Sequence, residues 1–324
     1  MKRASVRIIL IVLGLLALPC RMPAPLIFRP GEGWVYETPG GEGGWRRARA
    51  KDQLDVAQQA FDKKDFGLAM KAARRTVRTW PLSDYAPQAQ YLVGRCYEAK
   101  KADDKAFKEY QKLIEKYPKI ASYNEVLERQ YEIATRFLGG QWFKLWGVVP
   151  FFPSMDKTAA MYEKIIKSGP YAEVAPRAQM NIAAAREKQS DYPLAVKAYE
   201  RAADRYNDKR EIASEALFKS GLAYQKQAQT SEYDQSVAVQ AVSTFSDFIT
   251  LYPADNRIPE ARRIIGTLKS EQARGSFKVA QFYEKGRHND AALIYYNEVL
   301  LQDPESALAG QARQRIDALK NHSK

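Results

Sequence analysis

Cysteine and histidine are nearly absent from this 324-residue chain, two of each, and that scarcity removes most site chemistry. Cys20 and Cys96 are the only thiols, so if Cys20 is modified Cys96 has no partner within the chain. His288 falls in a turn and His322 in the tail, and no His, Cys or acidic residues share a metal-ligand spacing beyond what a charged helix surface produces. A Gly-rich phosphate loop and a nucleophile elbow are also missing. The reading is therefore no enzyme: no catalytic residue, no metal ligand, no cofactor and no small-molecule substrate. Cys96 reads as a small packing residue on a helix.

Period-two alternation of apolar and polar residues is lacking throughout, which argues against sheet. Ala, Lys, Gln, Glu, Arg and Tyr dominate instead, with Gly and Pro mostly between helical stretches. A sparse pattern returns six times: a small residue, an aromatic, Ala, a second aromatic, then usually Pro. Its clearest copy is Gly94, Tyr97, Ala106, Tyr110 and Pro118, and the last is Ala280, Tyr283, Ala292, Tyr296 and Pro304. The spacing lets one helix end, turn at Lys100–Asp104 and a second begin, with the small residues facing each other where antiparallel helices come closest. Pro118 stops the second helix. These positions match the tetratricopeptide pattern.

The fold class expected is all-α, a tetratricopeptide-repeat superhelix of about six helix-turn-helix repeats plus a C-terminal capping helix over Ala307–Leu319. The first copy is weak (Ala57, Ala69, Ala73, Pro81), and the fourth aligns with the second without a gap, from Pro176 to Tyr206. The third (Ala134, Thr158, Tyr162, Pro170) and the fifth (Gly221, Tyr224, Ala241, Phe245, Pro253) carry insertions, and an extra helical stretch, Ile258–Ser270, precedes the sixth. If the first helix of each pair lines a concave face, Tyr91, Arg95, Tyr131, Met180, Phe218 and Leu222 are candidates for contact with a peptide. The insertion at 137–153 is dense in aromatics, among them Trp142, Trp146, Phe151 and Phe152. It is too short and too interrupted by Pro to span a bilayer. It either folds back into the scaffold or stands out as a contact for a partner; partner contact is the hypothesis carried forward.

Residues 1–19 differ from the rest. Lys2, Arg3 and Arg7 precede the apolar run Ile8–Leu18, which as helix rises only about 16 Å against roughly 30 Å of hydrocarbon. An export signal is expected. Cys20 follows at once, and its position resembles a bacterial lipoprotein signal, in which that Cys is the lipidated first residue; ordinary cleavage and an uncleaved anchor are the other outcomes. Residues 20–50 then read as lipid anchor and Gly/Pro-rich tether, leading into the scaffold at 51–324. Within the tether Trp34, Tyr36 and Trp45 either pin it to the first repeat or sit at a membrane interface. The formal charge of +13, or +10 without the leader's three cations, is spread along helices and interleaved with acids. Export argues against nucleic acid, and the basic run Arg46–Lys51 is the best candidate for anionic headgroups.

The sixth copy is more specific. Pro259-Glu260-Ala261-Arg262, then Ala273 to Tyr283 (ARGSFKVAQFY), Lys285-Gly286, Ala291-Ala292 and Asp303-Pro304-Glu305-Ser306 resemble the BamD family of outer-membrane lipoproteins. Trp80-Pro81-Leu82-Ser83 and Lys116-Tyr117-Pro118 fit the same likeness, which covers roughly Lys51 to Leu319. It implies a periplasmic scaffold on the outer membrane, lipid-anchored through Cys20. Its implied partners are the periplasmic domains of a barrel-inserting outer-membrane protein and unfolded outer-membrane proteins. The segment 137–153 and one further helix pair are additions to the family pattern. A repeat protein of the cell-division or Tol-Pal envelope system is the alternative, and the lack of a heptad coiled coil before the repeats counts against it.

Overall fold

In the computed structural model, residues 26–36, 44–145, 149–230 and 235–322 are described. Thirteen helices and two short hairpins are found among them. The chain forms two compact units, 1–121 and 122–324. Both are built from antiparallel helix pairs, so the all-α tetratricopeptide-type repeat expected from the sequence is what the chain adopts. The expected export signal, residues 1–19, and Cys20 lie outside the described residues.

The first unit holds two pairs: α1 (Ala50–Asp62) with α2 (Phe66–Thr79), and α3 (Tyr85–Ala99) with α4 (Asp103–Lys116). Small residues make the close packing. Ala57, Ala60, Ala69, Ala72, Ala73 and Ala89 form one core with Leu92, Val93 and Cys96. Asp65 caps α2 by accepting from the Leu68 amide at 3.0 Å. At the far end Trp80, Pro81 and a Ser83 hydroxyl bonded to the Trp80 carbonyl close the helix. The Tyr117 hydroxyl then donates to the Pro81 carbonyl at 3.0 Å, tying the end of the second pair to that of the first.

Ahead of α1 the structure differs from the tether read in the sequence. Residues Leu26–Arg29 (β1) and Gly33–Tyr36 (β2) pair as an antiparallel hairpin. Gly31 and Gly33, at φ of 77° and 76°, make the turn that the Gly and Pro content had suggested was structureless. Glu32 explains why the hairpin is held. Its carboxylate is buried, accepts from the Lys51 amide at 3.4 Å and lies 3.7 Å from Arg29. It stands at the N-terminus of α1, where Arg49 supplies no side-chain cap, so the hairpin delivers the negative charge that the helix end favours. A second tie runs from the Asp84 amide to the Gly31 carbonyl, 2.7 Å. Trp45 packs on the first-repeat core, and the buried Gln53 amide holds the entering chain through Trp45 O, the Arg47 amide and Arg75 Nε. Pinning to the first repeat therefore falls to Trp45, whereas Trp34 is 68% exposed.

The second unit continues with α5 (Tyr123–Leu138), α6 (Met155–Ser168), α7 (Val174–Lys188), α8 (Tyr192–Arg205), α9 (Arg210–Thr230) and α10 (Gln235–Leu251). The expected separate stretch Ile258–Ser270 is instead the front of one helix, α11 (Ile258–Lys285), because no Pro interrupts it after Pro259. Its first half buries Ala261, Ile264 and Leu268 against α9 and α10. Its second half buries Ala273, Phe277 and Ala280 against α12 (Asn289–Gln302), and α13 (Ala307–His322) covers that core with Ala312, Ile316 and Leu319. The 137–153 insertion starts later than the composition suggests: Phe137 and Leu138 are still helical, and Phe137 is 2% exposed. The insertion then pairs Phe143–Leu145 (β3) with Val149–Phe152 (β4).

Removing the borrowed helix cap tests this account. Glu32→Ala should destabilise the first unit by about 1 kcal/mol, read by urea denaturation together with faster amide exchange at Lys51.

Candidate functional site

One contact is repeated inside the pairs and positions everything near the surface. From the second pair on, each second helix sends an aromatic ring onto the small residue of its first helix, whereas the first pair has Ala73 at that place. A Cβ on Gly94 would stand 2.3 Å from Tyr110 Cε1, and one on Gly221 2.8 Å from Phe245 Cε1; both rings close where a side chain would be. Tyr110, Tyr162, Tyr199, Phe245 and Tyr296 are the buried rings of five successive pairs. Three of their hydroxyls donate to a Glu twelve residues earlier: Tyr110 to Glu98, Tyr199 to Glu187 at 2.7 Å, and Tyr296 to Glu284 at 2.6 Å. That Glu always lies four residues after the small residue. In the fifth pair the position is Gln225 and the ring is Phe245, so hydroxyl and carboxylate are lost together. Sequence reading had missed this coupling, although it is legible at the +4 position. A recurring left-handed turn also follows: Lys64, Lys101, Ser190 and Arg287, at φ of 54–62°, each come seven residues after the small residue.

The candidates Tyr91, Tyr131 and Phe218 occupy equivalent places, three residues before the small one, and they share a fate. Their rings contact the second-helix ring at 5.8, 5.7 and 5.6 Å respectively, and Phe277 repeats this at 5.4 Å. The row is part of the packing rather than a bare face. Phe218 is 5% exposed, wedged against Phe245 and Phe248 beneath the Arg257 guanidinium at 5.0 Å, so it is a core residue and not a surface anchor. Met180 is buried as well, and Leu222 packs against the same core as Phe218.

The two tyrosines, by contrast, are only half-buried. In the first unit Arg95 lies over both Phe61 (5.6 Å) and Tyr91 (5.9 Å). In the second, Tyr131 carries the Arg177 guanidinium over its ring at 4.7 Å, and Arg177 also bonds both Glu128 carboxylate oxygens at 3.1 and 2.8 Å. Asn181 Nδ2 donates to the Tyr131 and Tyr162 hydroxyls, 3.0 Å each, and Thr135 Oγ1 is 3.0 Å from Tyr162 OH. Burial pushes the Tyr162 phenol up to about 12, so it stays protonated. Arg177 and Asn181 were not singled out in the sequence; the signal available was their i, i+4 spacing beside buried Ala178. A cation, a ring, an amide and a carboxylate held together can meet the polar groups and side chains of a peptide.

The insertion is anchored at its base and open beside it. Phe143 stacks on Phe137 at 4.1 Å, Lys157 Nζ lies 5.3 Å above it, and Trp142 is 52% exposed. Phe151 and Phe152 lie on β4, and Trp146 is outside the described residues. An open notch of about 560 Å³ lies at the insertion's two ends, lined by Leu138, Gly140, Pro153, Met155, Asp156 and Lys188 among others. Cys96 is fully buried, and burial raises its thiol to about 11, which leaves it unreactive. Among the described residues no group of His, Cys, Asp and Glu could hold a metal ion, and no helix is long and apolar enough to cross a membrane.

Such pairs, with rings closing on small residues, define a tetratricopeptide-repeat protein, and residues 88–119 match the tetratricopeptide repeat family. Residues 154–317, just over half of the chain, match the YfiO family, described as outer membrane lipoprotein, and the chain belongs to that family. No curated protein sequence matches it. Similar solved structures include the C-terminal part of a tetratricopeptide-repeat protein from Cytophaga hutchinsonii, at 14% identity over 82% of this chain and 87% of that one, TM-score 0.37. A tetratricopeptide repeat protein from Parabacteroides merdae shows 11% identity over 84% and 98%, TM-score 0.35. MamA from Desulfovibrio magneticus shows 12% over 64% and 97%, TM-score 0.33. At these scores the likenesses carry no argument about function.

Two measurements check the division between core and surface. Phe218→Ala should cost about 3 to 5 kcal/mol in chemical denaturation, and Trp142→Ala less than about 0.5. The lid over Phe218 should respond to pH. Hydrogen bonds from Arg257 hold the Asp255 carboxyl down to about 2 from 3.8, so its contribution is complete above about pH 4 and lost as the pH falls towards 2. Asp255→Asn should therefore lower stability by about 1 kcal/mol at pH 7, and the gap to the native protein should close between pH 4 and 2.

Proposed function

We propose that this chain is a non-enzymatic scaffold of the outer-membrane β-barrel assembly machinery, held by a lipid on Cys20 at the periplasmic face of the outer membrane. The observation that carries the reading is membership of the outer membrane lipoprotein family across residues 154–317. The repeats agree with it, since they are a protein-binding architecture. In this reading the scaffold binds the periplasmic domains of the barrel-inserting protein and unfolded barrel proteins. The cluster Tyr131, Glu128, Arg177 and Asn181 and the pair Tyr91–Arg95 are the peptide-facing groups, with Trp142 and the rest of the insertion as a further contact. Trp142 favours that role because it stays exposed while its neighbour Phe143 is stacked down. An exposed Trp beside an anchored ring is the kind of residue that dominates protein contacts.

The test is capture of the protein through a tag at Lys324 from gently solubilised membranes, with the accompanying proteins identified by mass spectrometry. A barrel-inserting outer-membrane protein in stoichiometric amount is the expected outcome; Tol-Pal or peptidoglycan-synthesis proteins without it would overturn the proposal. In the same assay Trp142→Ala with Trp146→Ala should reduce recovery at least about tenfold, the effect of losing 1.4 kcal/mol or more at a hot spot, with little change in melting temperature.

A further inference from the structure

The hairpin before the first repeat has two unlike faces. Towards the protein it presents the buried Glu32, bonded to the start of α1, and Gly31, bonded to the Asp84 amide. Outward it presents Phe28 and Trp34, directly paired across the strands, 60% and 68% exposed, with rings in edge contact at 5.5 Å. Leu82, 93% exposed, is two residues from the Asp84 tie. Three large apolar side chains are thus left in water on a piece of structure that the fold holds firmly in place.

Two further facts say what covers them. Only five residues separate Cys20 from Leu26, so a lipid on Cys20 keeps the hairpin within about 20 Å of the bilayer even with the link fully extended. The segment 46–51, RRARAK, has four cations and no acid, and its Arg46, Arg49 and Lys51 are exposed. Lys51 is the residue whose amide meets Glu32, so this basic run lies beside the hairpin turn. Aromatic rings at headgroup depth and cations against anionic headgroups are the two components of interfacial membrane binding.

We infer that the Phe28–Trp34 hairpin, with Leu82 and the basic run 46–51, is a docking surface for an anionic phospholipid bilayer. Its effect is to orient the first unit. A lipid on Cys20 sets distance, whereas a hairpin fastened to α1 and the Asp84 loop sets which side of the first unit faces the membrane. The inference rests on the lipid anchorage proposed above, and the experiment separates the two.

Full-length protein purified from membranes is reconstituted with phosphatidylethanolamine–phosphatidylglycerol vesicles carrying brominated acyl chains, alongside Trp34→Phe and Cys20→Ser. Trp34 should account for a quenched, blue-shifted part of the fluorescence that Trp34→Phe loses. In the Cys20→Ser background, Phe28→Ser with Trp34→Ser should lower partition into these vesicles at least about tenfold, and raising the salt to 0.5 M should weaken what remains, roughly as the Debye length shortens. Both replaced side chains are exposed, so near-ultraviolet circular dichroism outside the Trp34 contribution should not change. Flotation of the native protein with identical quenching in Trp34→Phe overturns the hairpin proposal while leaving the anchor standing. Equal flotation of native and Cys20→Ser proteins overturns the anchor, and Trp34 quenching in that case still supports the hairpin. Absence of both overturns both, and loss of a co-purifying protein from the double variant without any lipid quenching assigns the hairpin to a protein partner instead.

Discussion

Closure of an aromatic ring over a small residue is the contact on which this structure depends. Where Tyr110 covers Gly94 and Phe245 covers Gly221, the two helices of a pair come as near as their backbones permit. That approach fixes the depth of each pair and brings a second ring, three residues before the small one, into contact at 5.4–5.8 Å. The Tyr hydroxyl then finds its Glu one turn along the first helix. A buried phenol left without a partner would cost about 1 to 3 kcal/mol, so three of the four Tyr hydroxyls have that Glu, Tyr162 has Asn181 and Thr135 instead, and in the fifth pair hydroxyl and carboxylate are lost together.

From this follows which side chains remain for binding. A row that helical periodicity alone assigns to a surface is largely consumed by ring contacts. What is left half-buried are Tyr91 and Tyr131, with Arg95 and Arg177 lying over their rings. In each unit the group is cationic and aromatic, and in the second Glu128 and Asn181 hold Arg177 and Tyr131 in place. Such preorganisation reduces the entropy lost on binding a flexible chain. The insertion adds an apolar element that the repeats themselves do not provide.

Both ends of the described repeats are closed by elements that are not repeats. At the start, Glu32 comes from a hairpin and serves as the helix cap that Arg49 cannot be. At the other end α13 covers the core of Ala280, Tyr296 and Val299. Open stacks need polar or capping ends to stay soluble. Here the leading cap also carries exposed aromatics, so one small element joins the role of capping the first unit to that of meeting the bilayer.

The sequence by itself determined the repeat class, the places of the helix pairs and the burial of Cys96, because small residues and aromatics at fixed helical spacing have few ways to pack. It also contained the +4 Glu and the +7 turn residue, legible once the copies are aligned on their small residue. Tertiary structure alone decided the rest. Phe218 and Tyr131 hold the same place in the pattern, yet Arg257, 39 residues away and held by Asp255, roofs the buried Phe218, while Tyr131 beneath Arg177 stays half-buried. The hairpin was equally hidden, since a Gly- and Pro-rich stretch becomes ordered only when a carboxylate such as Glu32 meets a helix end distant in sequence. Periodicity reports the face a residue occupies on its own helix; what covers that face depends on partners brought together by the fold.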